Sequence, residues 1–363
     1  MALILGIESS CDETAAAVVE NGKLIRSNVV ASQIAKHAAY GGVIPELAAR
    51  EHLTAITPVV EQALKDAQIT PADLSAVAVT HAPGLVPALL IGMTFAKGFS
   101  AANGLPLIGI NHFLGHIYGA FVGEEAQYNF DDPALYPMLA AVVSGGHTSL
   151  VIVTADGKSH LIGTTLDDAA GEAFDKAAKL LNLGYPGGPI IERLAKNGDP
   201  QKYHFPRSLT GSAGKPVAPE NRFNFSFSGV KTALLYHTRD LGGAENLSEQ
   251  ELYDSLASYQ ETIVDVLCRK IFDAAAHYRV RSVVLCGGVA CNGALRARFE
   301  AAAPENLVTI MAPKKYCTDN AAMIGGLGYF YHRCGAYNTL ELDAQARLPL
   351  STELPFRMDG GAK

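Results

Sequence analysis

His112 and His116 stand four residues apart in NHFLGH (111–116), directly after the apolar run 107–110. Residues four apart on a helix share a face, so both imidazoles can reach one metal ion. Two such histidines can equally be polar residues at a helix start, and a third ligand separates the two readings. Asp319, in the polar turn YCTDN (316–320) where another helix is expected to begin, is the best candidate. A His–His–carboxylate set with open positions suits Fe(2+), with Zn or Mn as substitutes. The zinc-protease pattern HExxH needs a glutamate directly after the first histidine to activate water, and Phe113 stands there. A protease of that kind is excluded.

A second chemistry lies in two short polar turns. GIESSCDETAAAVVENGKLI from Gly6 and AVVSGGHTSLVIVTADGKSHLI from Ala141 align when shifted by 135 residues, which puts Ser9 on Ser144, Glu13 on Thr148 and Gly22 on Gly157. Each copy reads as an apolar strand, a small polar turn, a β-branched strand, a second turn and a third strand, which is a β-meander. A turn rich in backbone amides and hydroxyls can cradle phosphate oxygens. One such turn alone is more often an ordinary hairpin. Its duplication points to two related lobes with a nucleotide site in the cleft between them. Asp12 and Glu13 belong to the first turn and would face that cleft. One of them could take a proton from a nucleophile, or either could hold water or a second ion. No Ser/His/Asp triad stands out, and nothing supplies Cys11 with a base.

The elements that must position these groups follow from periodicity. Helices are predicted at about 43–67, 88–103, 112–122, 171–182, 249–279, 291–303 and 319–334, and further strands at about 74–80, 107–110, 282–286 and 307–310. With the repeat, this predicts an α/β chain built of two duplicated mixed-sheet domains with an active-site cleft between them. Such an arrangement resembles the two-lobed actin/Hsp70/sugar-kinase superfamily. An N-terminal lobe is expected over 1–110, with the helix at about 319–340 as a candidate to complete it. A C-terminal lobe over 111–318 would carry the metal site, and 341–363 reads as a tail. At 363 residues the chain is too long for one ordinary core.

Charge and cysteine content set further bounds. The formal net charge is −7, so binding to nucleic acid needs a local patch or a partner. Segment 193–231 offers one: Arg193, Lys196, Lys202, Arg207, Lys215, Arg222 and Lys231 face only Asp199 and Glu220. It is either a solvated loop or a contact to an anionic polymer, with Arg207 and Arg222 as candidate contacts. Six cysteines without a CxxC pair read as reduced thiols. There is no basic N-terminal region, and every apolar run is too short or too Gly-interrupted to span a membrane. A soluble cytoplasmic protein without a membrane contact is expected.

Nine blocks in order along nearly the whole chain resemble the TsaD family. They are GIESSCDET (6–14), HAAYGGVIPELAAREH (37–52), APGLVPALLIG (82–92), HFLGH (112–116), VVSGGHTSL (142–150), DDAAGEAFDKAAKLLNLGYPGGP (167–189), FNFSFSGVKTA (223–233), GGVACNGALR (287–296) and CTDNAAMI (317–324). The resemblance implies transfer of a threonylcarbamoyl group from threonylcarbamoyl-AMP to the N6 amine of the adenosine next to the anticodon in tRNAs reading codons that start with A, with release of AMP. It implies that His112, His116 and Asp319 hold a metal, usually iron. Val142, Val143, Ser144, Gly145 and Gly146 would form the turn at the substrate's phosphate and acyl region, and Asp175, Gly188, Glu192 and Asn292 would contact its nucleotide. It further implies a separate TsaC/Sua-type synthase that makes the intermediate, and TsaB and TsaE as protein partners. Pro87 stands where a small residue such as Gly is expected, and Ala290–Cys291 where Ser and Ala are familiar. An ATP-dependent kinase or ATPase of the same superfamily is the alternative, and it would leave the His–His–Asp group idle.

Overall fold

The computed structural model describes residues 1–211, 216–348 and 351–358. Lys215 and parts of the 341–363 tail lie outside the described residues. The chain divides into two compact units: Met1–Ala134 with Thr154–Ser159 and Ala312–Lys363, and Leu135–Val153 with His160–Met311. His112, His116 and Asp319 all fall in the first.

The first unit opens with the meander β1 (Leu3–Glu8), β2 (Glu13–Glu20) and β3 (Leu24–Ser32), followed by α1 (Ile34–Ala38), α2 (Pro45–Asp66), β4 (Ala76–Ala82), α3 (Val86–Asn103), β5 (Leu107–Asn111) and α4 (His112–Tyr118). The sheet order is β3-β2-β1-β4-β5, with β1–β2–β3 antiparallel and β1–β4–β5 parallel. Strand alternation splits β1 between two faces. Leu3, Leu5 and Ile7 join Ile56, Val59, Val60 and Ala63 of α2 and Met93 and Ala96 of α3 in one apolar core. Ile4, Gly6 and Glu8 point the other way. Pro87 sits in the first turn of α3, where its missing N–H costs no helical bond, so the departure at this position is accommodated.

The second unit repeats the plan. It contains β6 (Met138–Val143), β7 (Thr148–Val153), β8 (Lys158–Thr164) from His160 onward, α5 (Ala170–Leu180), α6 (Gly187–Ala195), α7 (Ser228–Asp240), α8 (Glu249–Tyr278), β9 (Ser282–Cys286), α9 (Gly293–Ala302) and β10 (Val308–Met311). Its strands run β8-β7-β6-β9-β10, the order of β3-β2-β1-β4-β5, with β6–β7 antiparallel and β6–β9–β10 parallel as in β1–β2 and β1–β4–β5. β6 begins 135 residues after β1 and β7 the same distance after β2, as 138 − 3 and 148 − 13 show. The duplication seen in the sequence is therefore structural.

The chain then returns to the first unit through α10 (Lys314–Cys317) and α11 (Ala321–Arg333). α11 lies on the second face of that sheet at unusually close range. A Cβ on Gly6 would sit 2.2 Å from the Ala321 carbonyl oxygen and 2.5 Å from the Gly325 nitrogen. Beyond α11, Asn338 donates its N–H to Leu107 O and accepts the Gly109 N–H on its side chain, so the segment straps the β5 edge. Farther on, β11 (Thr352–Glu353) pairs with Ser159 and Lys158. No helix among the described residues is long and apolar enough to cross a membrane.

Candidate metal centre and active site

β5 runs directly into α4, and Asn111 caps the helix by accepting the Phe113 and Leu114 N–H groups. His112 and His116 therefore project from one face, with ring centroids 4.5 Å apart. α11 is capped by Asn320, which accepts the Met323 N–H, and this fixes Asp319 one residue earlier. Asp319 Oδ1 lies 3.1 Å from His116 Nε2 and 3.5 Å from His112 Nε2. One donor atom from each of the three residues falls within 4.8 Å of the others. Both histidines are buried. His116 Nδ1 has no partner among the described residues, so the ring's orientation rests on what Nε2 meets. Two imidazole nitrogens and a carboxylate oxygen converging on one point fit a divalent transition metal.

Behind His112 stands a residue that the sequence motifs left without a role. Glu8, fully buried at the end of β1, points to the α11 face. Its Oε2 accepts from His112 Nδ1 at 3.1 Å and from Thr80 Oγ1 at 2.5 Å, and its Oε1 accepts the Ser10 N–H at 2.6 Å. This carboxylate–imidazole pair places the proton on Nδ1 and frees Nε2 for the metal. Burial pushes the Glu8 carboxyl up, but His112, by charge and hydrogen bond, and the Thr80 hydroxyl outweigh it and hold the group low. Glu8→Gln is expected to weaken metal binding by about 10- to 100-fold while leaving the fold intact. Undiminished affinity in a metal titration would remove Glu8 from the site's support.

Burial alone would lower the His112 pKa, yet the Asp319 and Glu8 carboxylates raise it to about 9. Without metal the ring is a cation at neutral pH, and an incoming ion must displace its proton. Apparent metal affinity is therefore expected to fall by up to about tenfold for each unit of pH lost below that value. Equilibrium dialysis from mildly acidic to mildly alkaline pH reads this directly, and a flat profile would contradict it.

The first polar turn is packed rather than open. Ser9 and Ser10 are buried, the Ser10 N–H is spent on Glu8, and Gly84 and Gly92 press against Ser10 and Ser9. Asp12 is buried and hydrogen-bonds Glu13, whose carboxyl also accepts from Ser32 Oγ. Burial, then the Asp319 and Asp12 charges, raise the Glu13 pKa to about 10, so without a nearby cation it holds a proton at neutral pH. Burial and the same carboxylates push the Cys11 thiol well above its ordinary value, which makes it inert.

The second turn differs. Ser144 N–H donates to His147 O, closing the turn, while Gly145 and Gly146 are exposed with no atom near their missing Cβ positions. Val142 and Val143 are buried β6 residues that can offer a ligand only their backbone. Gly171 at the start of α5 packs on Gly145, which sets the turn beside a helix N-terminus. Three other candidates secure helix starts in the same unit. Asp175 Oδ1 accepts the Gly187 N–H at 2.7 Å, Glu192 Oε1 accepts the Gly293 N–H at 2.9 Å, and Asn292 caps α9 while donating to Gln260 Oε1 at 2.7 Å. Gly188 is open. Gly287, between β9 and the turn Gly288–Cys291, meets the Val143 backbone, which brings the GGVAC turn beside β6.

A family model described as tRNA N6-adenosine threonylcarbamoyltransferase, TsaD, matches residues 24–326. The chain belongs to the TsaD family. It is 47% identical over 356 residues to the tRNA N6-adenosine threonylcarbamoyltransferase of Syntrophus aciditrophicus, covering 98% of this chain and 100% of that one. Against the enzyme of that name from Symbiobacterium thermophilum it is 47% identical over 349 residues, covering 96% and 97%. Among solved structures, HypF of T. kodakarensis aligns with a TM-score of 0.58 at 14% identity, over 94% of this chain and 49% of that one. That likeness is one of fold, of the actin/Hsp70/sugar-kinase type. For this member of the TsaD family, a buried His–His–Asp group able to hold a metal accompanies the match.

The basic segment of this TsaD chain is less free than its composition implies. Arg207 ion-pairs Asp265 on α8, and Arg222 grips Asp273 through Nε and Nη2 while lying over the Phe223 ring. Glu8 and its partner Thr80 are the residues that motif reading missed. The signal was a lone carboxylate ending an otherwise apolar strand, because a buried charge requires a buried partner.

Proposed function

We propose that the chain transfers the threonylcarbamoyl group of threonylcarbamoyl-AMP to the N6 amine of the adenosine next to the anticodon in tRNAs that read codons starting with A. A bond forms between that nitrogen and the carbamoyl carbon, the bond from that carbon to the AMP phosphate oxygen breaks, and the amine loses a proton. The observation that carries the reading is the buried His112–His116–Asp319 group in a chain so similar to curated transferases. An adenine amine is a weak nucleophile, so the protein's task is to align reactants and stabilise developing charge. In this reading the exposed Gly145 and Gly146 amides receive the phosphate and acyl oxygens, with Val142, Val143 and Ser144 shaping the turn. Asp175, Gly188, Glu192 and Asn292 receive the nucleotide at the helix starts they already organise. Asp12 or Glu13 takes the amine proton, which for Glu13 requires that nearby positive charge first displace its own.

Iron(II) is the metal assigned to the three ligands, with Zn or Mn as substitutes, and when bound it would polarise a carbonyl or phosphate oxygen. The partners of this reading are a TsaC/Sua-type synthase, TsaB and TsaE, and the setting is the cytoplasm. A kinase or ATPase would find no use for the His–His–Asp group, and nothing favours it. Mixing the protein and its partners with threonylcarbamoyl-AMP and unmodified tRNA should release AMP in step with tRNA modification. A tRNA carrying inosine at the target position, which lacks the amine, should give neither. Equal AMP release from both would point to hydrolysis instead of transfer.

Arg207 and Arg222 are proposed to bind tRNA phosphates. Replacing both by glutamine is expected to weaken tRNA affinity by about threefold to tenfold and to reduce the salt slope by about one for each phosphate no longer neutralised. An unchanged slope would assign both residues to holding the segment on α8.

A further inference from the structure

Two buried histidines outside the metal centre have no part in the chemistry above. His37 on α1 and His52 on α2 are both fully buried and bound the block HAAYGGVIPELAAREH. His52 Nε2 lies 3.0 Å from the carbonyl oxygen of Cys11, and its Nδ1 lies 2.8 Å from Thr14 Oγ1. A carbonyl only accepts, so Nε2 carries the proton and Nδ1 accepts from the threonine hydroxyl. Burial lowers the pKa of the ring, in keeping with a neutral imidazole.

One residue along, the Asp12 carbonyl accepts the Gln33 N–H at 3.0 Å. The Gln33 side chain donates to Ala48 O at 3.4 Å and accepts from His37 Nε2 at 3.1 Å. His37 Nδ1 in turn accepts the Ile44 N–H at 3.3 Å. Two consecutive carbonyls are thus held by two polar chains that run into one segment, 33–52. On the opposite side, Leu85 N–H donates to Ser10 O and Ser9 Oγ donates to Ala88 O. A planar peptide cannot turn at one end alone, so fixing its carbonyl fixes how the flanking side chains leave the backbone. The side chains so directed are Asp12 and Glu13.

We infer that His52, through its hydrogen bonds to Cys11 O and Thr14, is a positioning residue that aims the Asp12 and Glu13 carboxylates for transfer. The inference rests on the transfer reading of that turn. His52 touches neither the metal ligands nor an open surface, so its loss should slow the reaction step and leave metal and substrate binding in place. Glutamine can return an amide N–H near the position of Nε2, whereas leucine fills the space without a donor. Thr14→Val removes the other half of the clamp with little change of shape, and Thr14→Ser restores it.

The test measures kcat and the KM for threonylcarbamoyl-AMP in the partner-supplemented transfer reaction, zinc(II) bound per chain, and the urea midpoint. His52→Leu is expected to lower kcat by about 30- to 100-fold with KM within about threefold and zinc binding retained. His52→Gln should recover most of the loss. Thr14→Val should cost about tenfold in kcat and Thr14→Ser little. Wild-type kcat in His52→Leu overturns the inference, as does a loss in the folded variant that merely follows lost zinc. If His52→Leu does not fold, the threonine pair decides, and equal kcat in Thr14→Val and Thr14→Ser overturns it. An unaltered protein that transfers nothing overturns the transfer reading itself, which is a separate result.

Discussion

Alanine in place of His116 is expected to abolish tight metal binding and to lower transfer by about a hundredfold to a thousandfold. His116 is 2% exposed, and its Nε2 lies 3.1 Å from Asp319 Oδ1, so no neighbouring solvent-facing group can substitute for it. Removing it leaves His112 and Asp319 as a two-ligand set, which binds transition metals far more weakly than three convergent donors. The size of the activity loss follows from removing a charge-stabilising centre held by two buried imidazoles. Metal content after dialysis against iron(II) or zinc(II), read beside the transfer rate, checks both parts. One tightly held metal per chain in His116→Ala would place the ligands elsewhere, and full activity without metal would separate the centre from the reaction. Asp319→Asn, which keeps the shape but removes the charge, should fall between the wild type and His116→Ala.

The second large effect is mechanical. In Gly6→Ala the added methyl would lie 2.2 Å from the Ala321 carbonyl oxygen and 2.5 Å from the Gly325 nitrogen, both backbone atoms of α11. No rotamer change relieves a clash with backbone, so α11 must move off β1. Overpacking of that kind costs about 1 to 3 kcal/mol, and a shift of a whole helix belongs at the upper end. Asp319 stands two residues before Ala321, so the shift also carries its carboxylate away from His112 and His116. A urea midpoint lowered in proportion, together with metal affinity weakened by more than about tenfold, is the expected pair of results. Unchanged stability with unchanged affinity would show that α11 does not lie so close to β1.

The residues read most easily from the sequence were those whose geometry is local. His112 and His116 announce themselves by a spacing of four, and the helix that presents them begins where the polar Asn111 follows an apolar strand. The repeat at 135 residues was legible because a meander is specified by its own turns, whereas the order in which the later strands join each sheet was seen only in the structure. Glu8 was hidden for the opposite reason. Its partner His112 is 104 residues away in sequence, and nothing near either residue encodes the meeting of β1 with α4. The two polar turns look alike in sequence, yet one is filled by Gly84, Gly92 and the 33–52 segment and the other is bare, a difference set by packing alone. α6 and α7 were not anticipated either. α6 opens on Gly187–Gly188–Pro189 and α7 follows the Phe- and Ser-rich stretch 223–228, both of which read locally as turns. Helix there is decided by burial of Ile191, Val230 and Leu234 against neighbours that local sequence does not name.

The most direct measurement is incorporation of labelled threonine into unmodified tRNA by the protein with bicarbonate, ATP, the synthase and the two partner proteins, with His116→Ala run in parallel. Label that enters the tRNA at the adenosine beside the anticodon with the native protein, and falls by at least about a hundredfold with the variant, is the predicted result. Contradiction would be absence of label from the native protein while a known transferase of the family labels the same tRNA.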